Sequence, residues 1–364
     1  MLPYLIIWTA SICAYKFAIK STTGFVRIMC LLLCVLLPSL LAGFRDVSLG
    51  YDWNGYGIRV WNAALSAQSF ASFLQDNEEI ELGYKFLNYI AFLVSSDCHI
   101  FFFIHQLLLA SLAVFVCYQY KDKGLSEIIL FFYFLYIYNT SFNILRQSVA
   151  MMFFLTAVCL WDRNRISKSI YFSILANLSH NSALFSILYF PFLKFKSILQ
   201  VNRKKITIVT LVASFFAVTA FSTLLTALIE INVFSEHYIP YIDQIGEVKS
   251  HKIDIVFLLS TIVSLFVFTA QENRNEPTFT QIYFLVLIAL LFQFFGNITD
   301  VAFRVAHYFV IPVPIFLPRI SKNLYEVKRV CQAFLFLLLF RLIYIIFISG
   351  AENTVPYASK ILGL

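Results

Sequence analysis

In FNILRQSVAMMFF, residues 142–154, Arg146 and Gln147 stand inside a run that otherwise reads as a membrane-crossing helix. A guanidinium held there costs several kcal/mol unless something compensates it. Arg304 follows the turn GNITD by about one helical turn, and Arg45 closes the apolar run LLAGFRD. Arginine suits oxyanions because its planar fork grips phosphate in a bidentate way and never loses its charge. His180, in ANLSHNSAL, adds a side chain that takes up and releases protons near neutral pH. Three arginines and a histidine in one layer would suit chemistry on a phosphate ester.

Each residue also has a plainer reading. Arg146 can snorkel to the membrane surface. Arg304 has Asp300 four residues before it, a helical ion-pair spacing. Arg45, beside Asp46, can anchor a helix end. His180 lies among Asn177, Ser179, Asn181 and Ser182 and can be a satisfied polar residue at a helix break.

The elements that hold these residues must be membrane helices. Hydrophobic residues make up 60% of the 364 positions and charged residues 13%, against about 45–50% and about 25% in soluble domains. Apolar runs recur near the roughly 20 residues that a crossing helix requires. The fold expected is therefore all-α, a polytopic transmembrane helical bundle in a single domain over residues 1–364. The spans expected are 3–18, 26–43, 99–118, 125–140, 143–160, 206–229, 253–270, 278–296, 301–318 and 331–349. The first run has no basic residues ahead of it and reads as a retained helix, not a cleaved signal.

Lysine and arginine orient the chain. Lys16, Lys20 and Arg27 mark one cytoplasmic loop, Lys121 and Lys123 another, and Arg163, Arg165 and Lys168 a third. The strongest holds Lys194, Lys196, Arg203, Lys204 and Lys205, and the last holds Arg319, Lys322, Lys328 and Arg329. Both termini then lie outside, with ten crossings and large outer loops at 44–83 and 230–252. Parity makes 84–96 an interfacial half-helix. It leaves 169–192 as either a re-entrant pair broken near Asn177–Ser182 or a single crossing. The net charge of +7 reflects such loops and gives no sign of nucleic-acid binding. The seven cysteines form no CxxC pair and the six histidines are scattered, so neither a metal site nor a disulfide framework is expected. The stretch GFRDVSLGYDWNGYG suits a loop that meets sugars through aromatic faces and Asp52, or an ordinary amphiphilic loop at headgroup level.

In chain order, GFRDVSLGYDWNGY, ELGYKFLN, FNILRQSVA, ANLSHNSAL and FRVAHYF resemble the EpsG-type, Wzy-like family of polysaccharide polymerases. The matching positions are Arg45, Asp46, Gly50, Asp52 and Tyr56; Glu81, Gly83 and Tyr84; Asn143, Arg146 and Gln147; His180, Ser182 and Ala183; and Arg304, Tyr308 and Phe309. The departures are Tyr51 where a small residue is usual, Leu82 where proline is usual, and Asn181 next to the histidine.

The resemblance implies a GT-C-like membrane glycosyltransferase that needs no cofactor. It would join oligosaccharide repeat units carried on undecaprenyl diphosphate, on the outer, periplasmic face of a bacterial cytoplasmic membrane. His180, Arg146, Arg304 and Asp52 would carry the catalysis. Arg45, Tyr56, Glu81, Tyr84, Asn143, Gln147 and Tyr308 would bind substrate. The implied partners are the lipid-linked oligosaccharide, membrane lipids and a chain-length regulator protein. A ligase that moves finished chain to lipid A core, and a flippase of lipid-linked sugars, are the competing readings.

Overall fold

The computed structural model describes residues 1–75, 79–123, 126–194, 300–319, 324–349 and 352–364, with isolated helical positions between 223 and 292. The expected spans 206–229, 253–270 and 278–296, and the loop 230–252, lie outside the described residues or reach them only at a few positions, 285–289 being the longest run. Among the described residues every regular element is helical. Two compact units emerge, Met1–His180 with Leu338–Leu364, and Asn181–Leu337.

In the first unit, α1 (Leu2–Lys20) and α2 (Gly24–Gly43) pair with each other, and α2 packs on α6 (His99–Gln119). Both α1 and α2 leave large apolar side chains exposed, Phe17, Phe25 and Leu33 among them. Outside a membrane such faces would be an aggregation liability; against acyl chains they are at home. These three helices and Val327–Phe347 are long and apolar enough to cross a membrane. The described residues therefore hold four such helices out of the ten crossings expected.

The other elements bury polar ends and are shorter. The helix α5 (Leu82–Val94) has 13 residues and, at 1.5 Å per residue, extends about 20 Å. That falls short of a hydrocarbon core of about 30 Å and agrees with a half-helix. The helix α7 (Ile128–Phe132) runs into a π-helical turn, Tyr133–Tyr138. α8 (Leu145–Asp162) is buried almost all round, as the apolar residues on every face of its sequence demand. α9 (Ile166–Ser179) packs along α8, and Ser169 Oγ donates to the Ala157 carbonyl at 2.7 Å.

A helix break lies in the segment expected as either a re-entrant pair or a single crossing. The helix α9 stops at Ser179, His180 takes up extended backbone, and a 3₁₀ segment, Asn181–Leu188, follows. The segment 44–83, expected as an outer loop, holds short helices. It folds into a π-helical turn (Trp53–Gly57), α3 (Ile58–Ser66) and α4 (Phe70–Gln75). Trp53, one of the aromatics suited to sugars or to headgroups, is buried and stacks on Phe101 with centroids 5.6 Å apart. Burying that large ring offsets the cost of ordering the segment.

The C-terminal residues straps this segment down. Asp46 N–H donates to the Ala358 carbonyl at 2.8 Å, Gly50 N–H to Asn353 at 3.1 Å, and the Tyr357 hydroxyl to the Leu41 carbonyl at 2.9 Å.

The second unit contains the 3₁₀ segment, α10 (Tyr189–Lys194), α11 (Asp300–Val310), α12 (Val313–Phe316) and the first part of α13 (Leu324–Ile343). Within it α11 packs on the 3₁₀ segment, and Phe292 stacks on Phe309 with centroids 5.6 Å apart.

Candidate active site

Three elements of the first unit meet where α5 begins, α8 begins and α9 ends. Glu81 is the residue just before α5, Arg146 lies in the first turn of α8, and His180 follows the last residue of α9. One carboxylate joins all three. Glu81 Oε2 accepts from Arg146 Nη1 at 2.6 Å, and Glu81 Oε1 meets His180 Nδ1 at 2.7 Å.

The approach depends on Gly83. A Cβ there would lie 2.8 Å from Ser179 Oγ and 2.9 Å from the Leu178 carbonyl oxygen. A bare backbone at Gly83 lets the first turn of α5 touch the last turn of α9, which brings Glu81 to His180.

The start of α8 is held just as closely. The guanidinium of Arg146 near a helix N-terminus opposes the helix dipole. Glu81 compensates it, and so does the Tyr56 ring, whose centroid lies 4.5 Å below the guanidinium carbon. Asp52 Oδ2 accepts the Leu145 N–H at 2.9 Å, capping α8 from a distant segment, and also accepts the Tyr56 hydroxyl at 2.7 Å. His105 Nε2 lies 3.0 Å from the Leu145 carbonyl.

Asn143 ties this region to two others. Its Oδ1 accepts the Tyr51 N–H at 2.7 Å, and its Nδ2 donates to the Glu352 carbonyl at 2.8 Å. Gly50 makes the Tyr51 approach possible: its φ is +87°, and a Cβ would fall 2.5 Å from the Phe142 carbonyl oxygen.

Burial alone would raise the Glu81 carboxyl, but His180 and then Arg146 overrule it and hold it well below the usual carboxylate range. An ionised carboxylate only accepts hydrogen bonds, so His180 Nδ1 must carry a proton. In the neutral ring, Nε2 is then the nitrogen that can take another. The three side chains differ in access. Glu81 and His180 are 6% and 4% exposed, and Arg146 is 14% exposed, so a ligand reaches the cation first.

The remaining expected residues divide. Tyr84 is buried edge-on to Tyr56, with centroids 5.8 Å apart, and Gln147 is buried beside Arg146 in the sequence. Arg45 is sealed, 1% exposed, with its guanidinium carbon 4.0 Å from the Phe102 centroid and 4.1 Å from that of Phe142. Its Nη1 donates to the Leu49 carbonyl at 2.8 Å, which braces the bend after α2. Arg304 and Tyr308 lie on α11 in the second unit, where the Ser182 hydroxyl donates to the Tyr308 hydroxyl at 3.2 Å. Sequence reasoning assigned Glu81 to sugar and gave His105 and the C-terminal residues no part. Chain separations of 65 and 99 residues hide the Glu81 contacts.

Among the described residues, Asp97, Cys98 and His99 bring three metal-ligand atom types within 4.8 Å of one another. There Asp97 Oδ1 accepts the backbone N–H of His99 at 3.0 Å and meets its Nδ1 at 2.7 Å, a bonding pattern that starts α6.

A family model described as the EpsG family matches residues 27–359, nearly the whole chain. The comparisons with curated proteins and with solved structures give no match.

Proposed function

This chain belongs to the EpsG family and is a multi-pass membrane protein of polysaccharide-polymerase type, and on that premise we propose that it joins lipid diphosphate-linked oligosaccharide repeat units. The carrier is undecaprenyl diphosphate, and the reaction takes place on the periplasmic face of a bacterial cytoplasmic membrane. The product is O-antigen or a related exopolysaccharide. The Glu81–Arg146–His180 cluster supports this reading best: a partly open cation and an imidazole share the two oxygens of one carboxylate.

The reaction is a displacement at the anomeric carbon of the donor sugar. An acceptor hydroxyl oxygen bonds to that carbon, and the bond from the carbon to the diphosphate oxygen breaks. The bonding electron pair leaves on the diphosphate. The hydroxyl proton passes to His180 Nε2. Negative charge grows on the leaving oxygens, and Arg146 stabilises it selectively in the transition state. The family resemblance gives Arg304, on α11 of the second unit, a part in binding the diphosphate as well. Asp52 and Tyr56 hold the wall of the site under Arg146. Arg45 braces the fold instead of touching the donor. A chain-length regulator is the expected protein partner.

Deletion of the gene, followed by gel analysis of surface polysaccharide, tests the reading. A ladder that collapses to a single-repeat band is the expected result. Complete absence of repeats would favour a ligase or flippase, and an unchanged ladder would refute the polymerase.

A further inference from the structure

The carboxylate shared by Arg146 and His180 has a consequence for how the two act together. Resting on the diphosphate reading above, we propose that Glu81 is an exchangeable counter-ion: the donor's diphosphate takes Arg146 from Glu81, and the freed carboxylate charge then supports His180.

The geometry carries this in three steps. First, each Glu81 oxygen serves a different partner, Oε2 facing Arg146 Nη1 at 2.6 Å and Oε1 facing His180 Nδ1 at 2.7 Å. One negative charge is therefore divided between a permanent cation and a ring that is charged only when both its nitrogens carry protons. Second, Arg146 is the most open of the three. An incoming diphosphate meets the guanidinium while Glu81 stays enclosed, and it brings more negative charge than the carboxylate it competes with. Third, the enclosure of Glu81 and His180 keeps their mutual attraction strong, because water is not there to screen it.

Once Arg146 turns its charge to the donor, Glu81 stabilises the imidazolium that forms as Nε2 takes the acceptor's proton. Nδ1 keeps its own proton throughout. Proton uptake at His180 is thus favoured when a donor is bound. Glu81 is a positioning residue in this scheme, acting through its two neighbours.

The role makes a prediction that a structural part would not. Removing the charge of Glu81 should strengthen binding of the diphosphate while it weakens turnover. The probe is undecaprenyl diphosphate without sugar, bound to the purified full-length protein in nanodiscs. Polymerisation is measured in membranes that contain the native lipid-linked repeat. Glu81→Gln is expected to bind the probe about tenfold tighter, a coupling of ordinary size between linked sites, and to make at least tenfold less polymer. His180→Ala, which leaves the whole Glu81 charge to Arg146, should bind it no tighter than the native protein does. Should Glu81→Gln fail to fold, Glu81→Asp, whose carboxylate is set back by one methylene, should show the same opposed changes in smaller measure. Equal or weaker binding by whichever Glu81 variant folds, with Arg146→Ala impaired, overturns the counter-ion role alone. Unchanged binding by Arg146→Ala overturns the diphosphate reading itself.

Discussion

Two arginines lie at comparable places, one at the end of α2 and one at the start of α8, and they are solvated in opposite ways. Arg45 is closed between two phenylalanine rings at 4.0 and 4.1 Å and donates to a backbone carbonyl. Arg146 has one ring at 4.5 Å, a carboxylate at 2.6 Å and an open edge. Rings and a carbonyl cannot be exchanged for a ligand without unfolding the bend they hold. A carboxylate can be exchanged for another anion. Position along the helix therefore does not distinguish a bracing cation from a functional one; the identity of its counter-charge and its access to solvent do.

Substitutions can break this contrast. Arg146→Ala is expected to reduce long-chain polymer about 10²- to 10³-fold, the usual loss when a transition-state donor is removed. Membrane abundance of the protein should stay close to native, as read by immunoblot beside the polysaccharide gel. Near-normal polymer in Arg146→Ala would end the distinction.

Arg45→Met should act the other way. It keeps the aliphatic stem between the rings but leaves the Leu49 carbonyl without its donor, a loss of about 1–3 kcal/mol. The midpoint of thermal unfolding in detergent should fall, while polymer made per folded molecule stays within about threefold of native. A large loss of activity at unchanged stability would place Arg45 with Arg146 after all.

Gly83→Ala tests whether the Arg146 cluster depends on the contact between α5 and α9. The added methyl would press on Ser179 and Leu178, at a cost of about 1–3 kcal/mol, and should weaken polymerisation by displacing Glu81 from His180. Gly55→Ala, where nothing lies within 4 Å, is the matched control and should change neither abundance nor polymer.

Tyr56→Phe should have the smallest effect. It keeps the ring under Arg146 and removes the hydroxyl, which bonds Asp52 and also meets the Arg146 side chain. A net loss of about 0.5–1.5 kcal/mol is expected, visible as a drop of several-fold at most in polymer.

Much of the frame is legible in the chain. A run at 99–118 becomes a helix at His99–Gln119, and one at 143–160 becomes Leu145–Asp162, because length and hydropathy are local properties. The cluster of Asn177, Ser179, Asn181 and Ser182 marks the break at His180, since side chains that bond to nearby backbone compete with helix. The folding of 44–83 into short helices is less legible. Its glycines and aromatics suit an exposed loop as well as a packed corner, and only the pocket beside Phe101 and Phe102 decides in favour of burial for Trp53.

The strap formed by Glu352–Ser359 is not legible in the sequence, because its bonds, some through its own carbonyls and some through the side chains of Asn353, Tyr357 and Ser359, reach partners far away in the chain. What the sequence determined alone was class and family: apolar runs of membrane length, charges confined to their ends, and five polar motifs in order. What tertiary structure decided was the counter-charge of each cation. Pairing of Glu81 with Arg146 and His180 depends on three helix ends converging so that side-chain atoms 65 and 99 residues apart meet at 2.6 and 2.7 Å, and helix packing fixes that while local chemistry cannot.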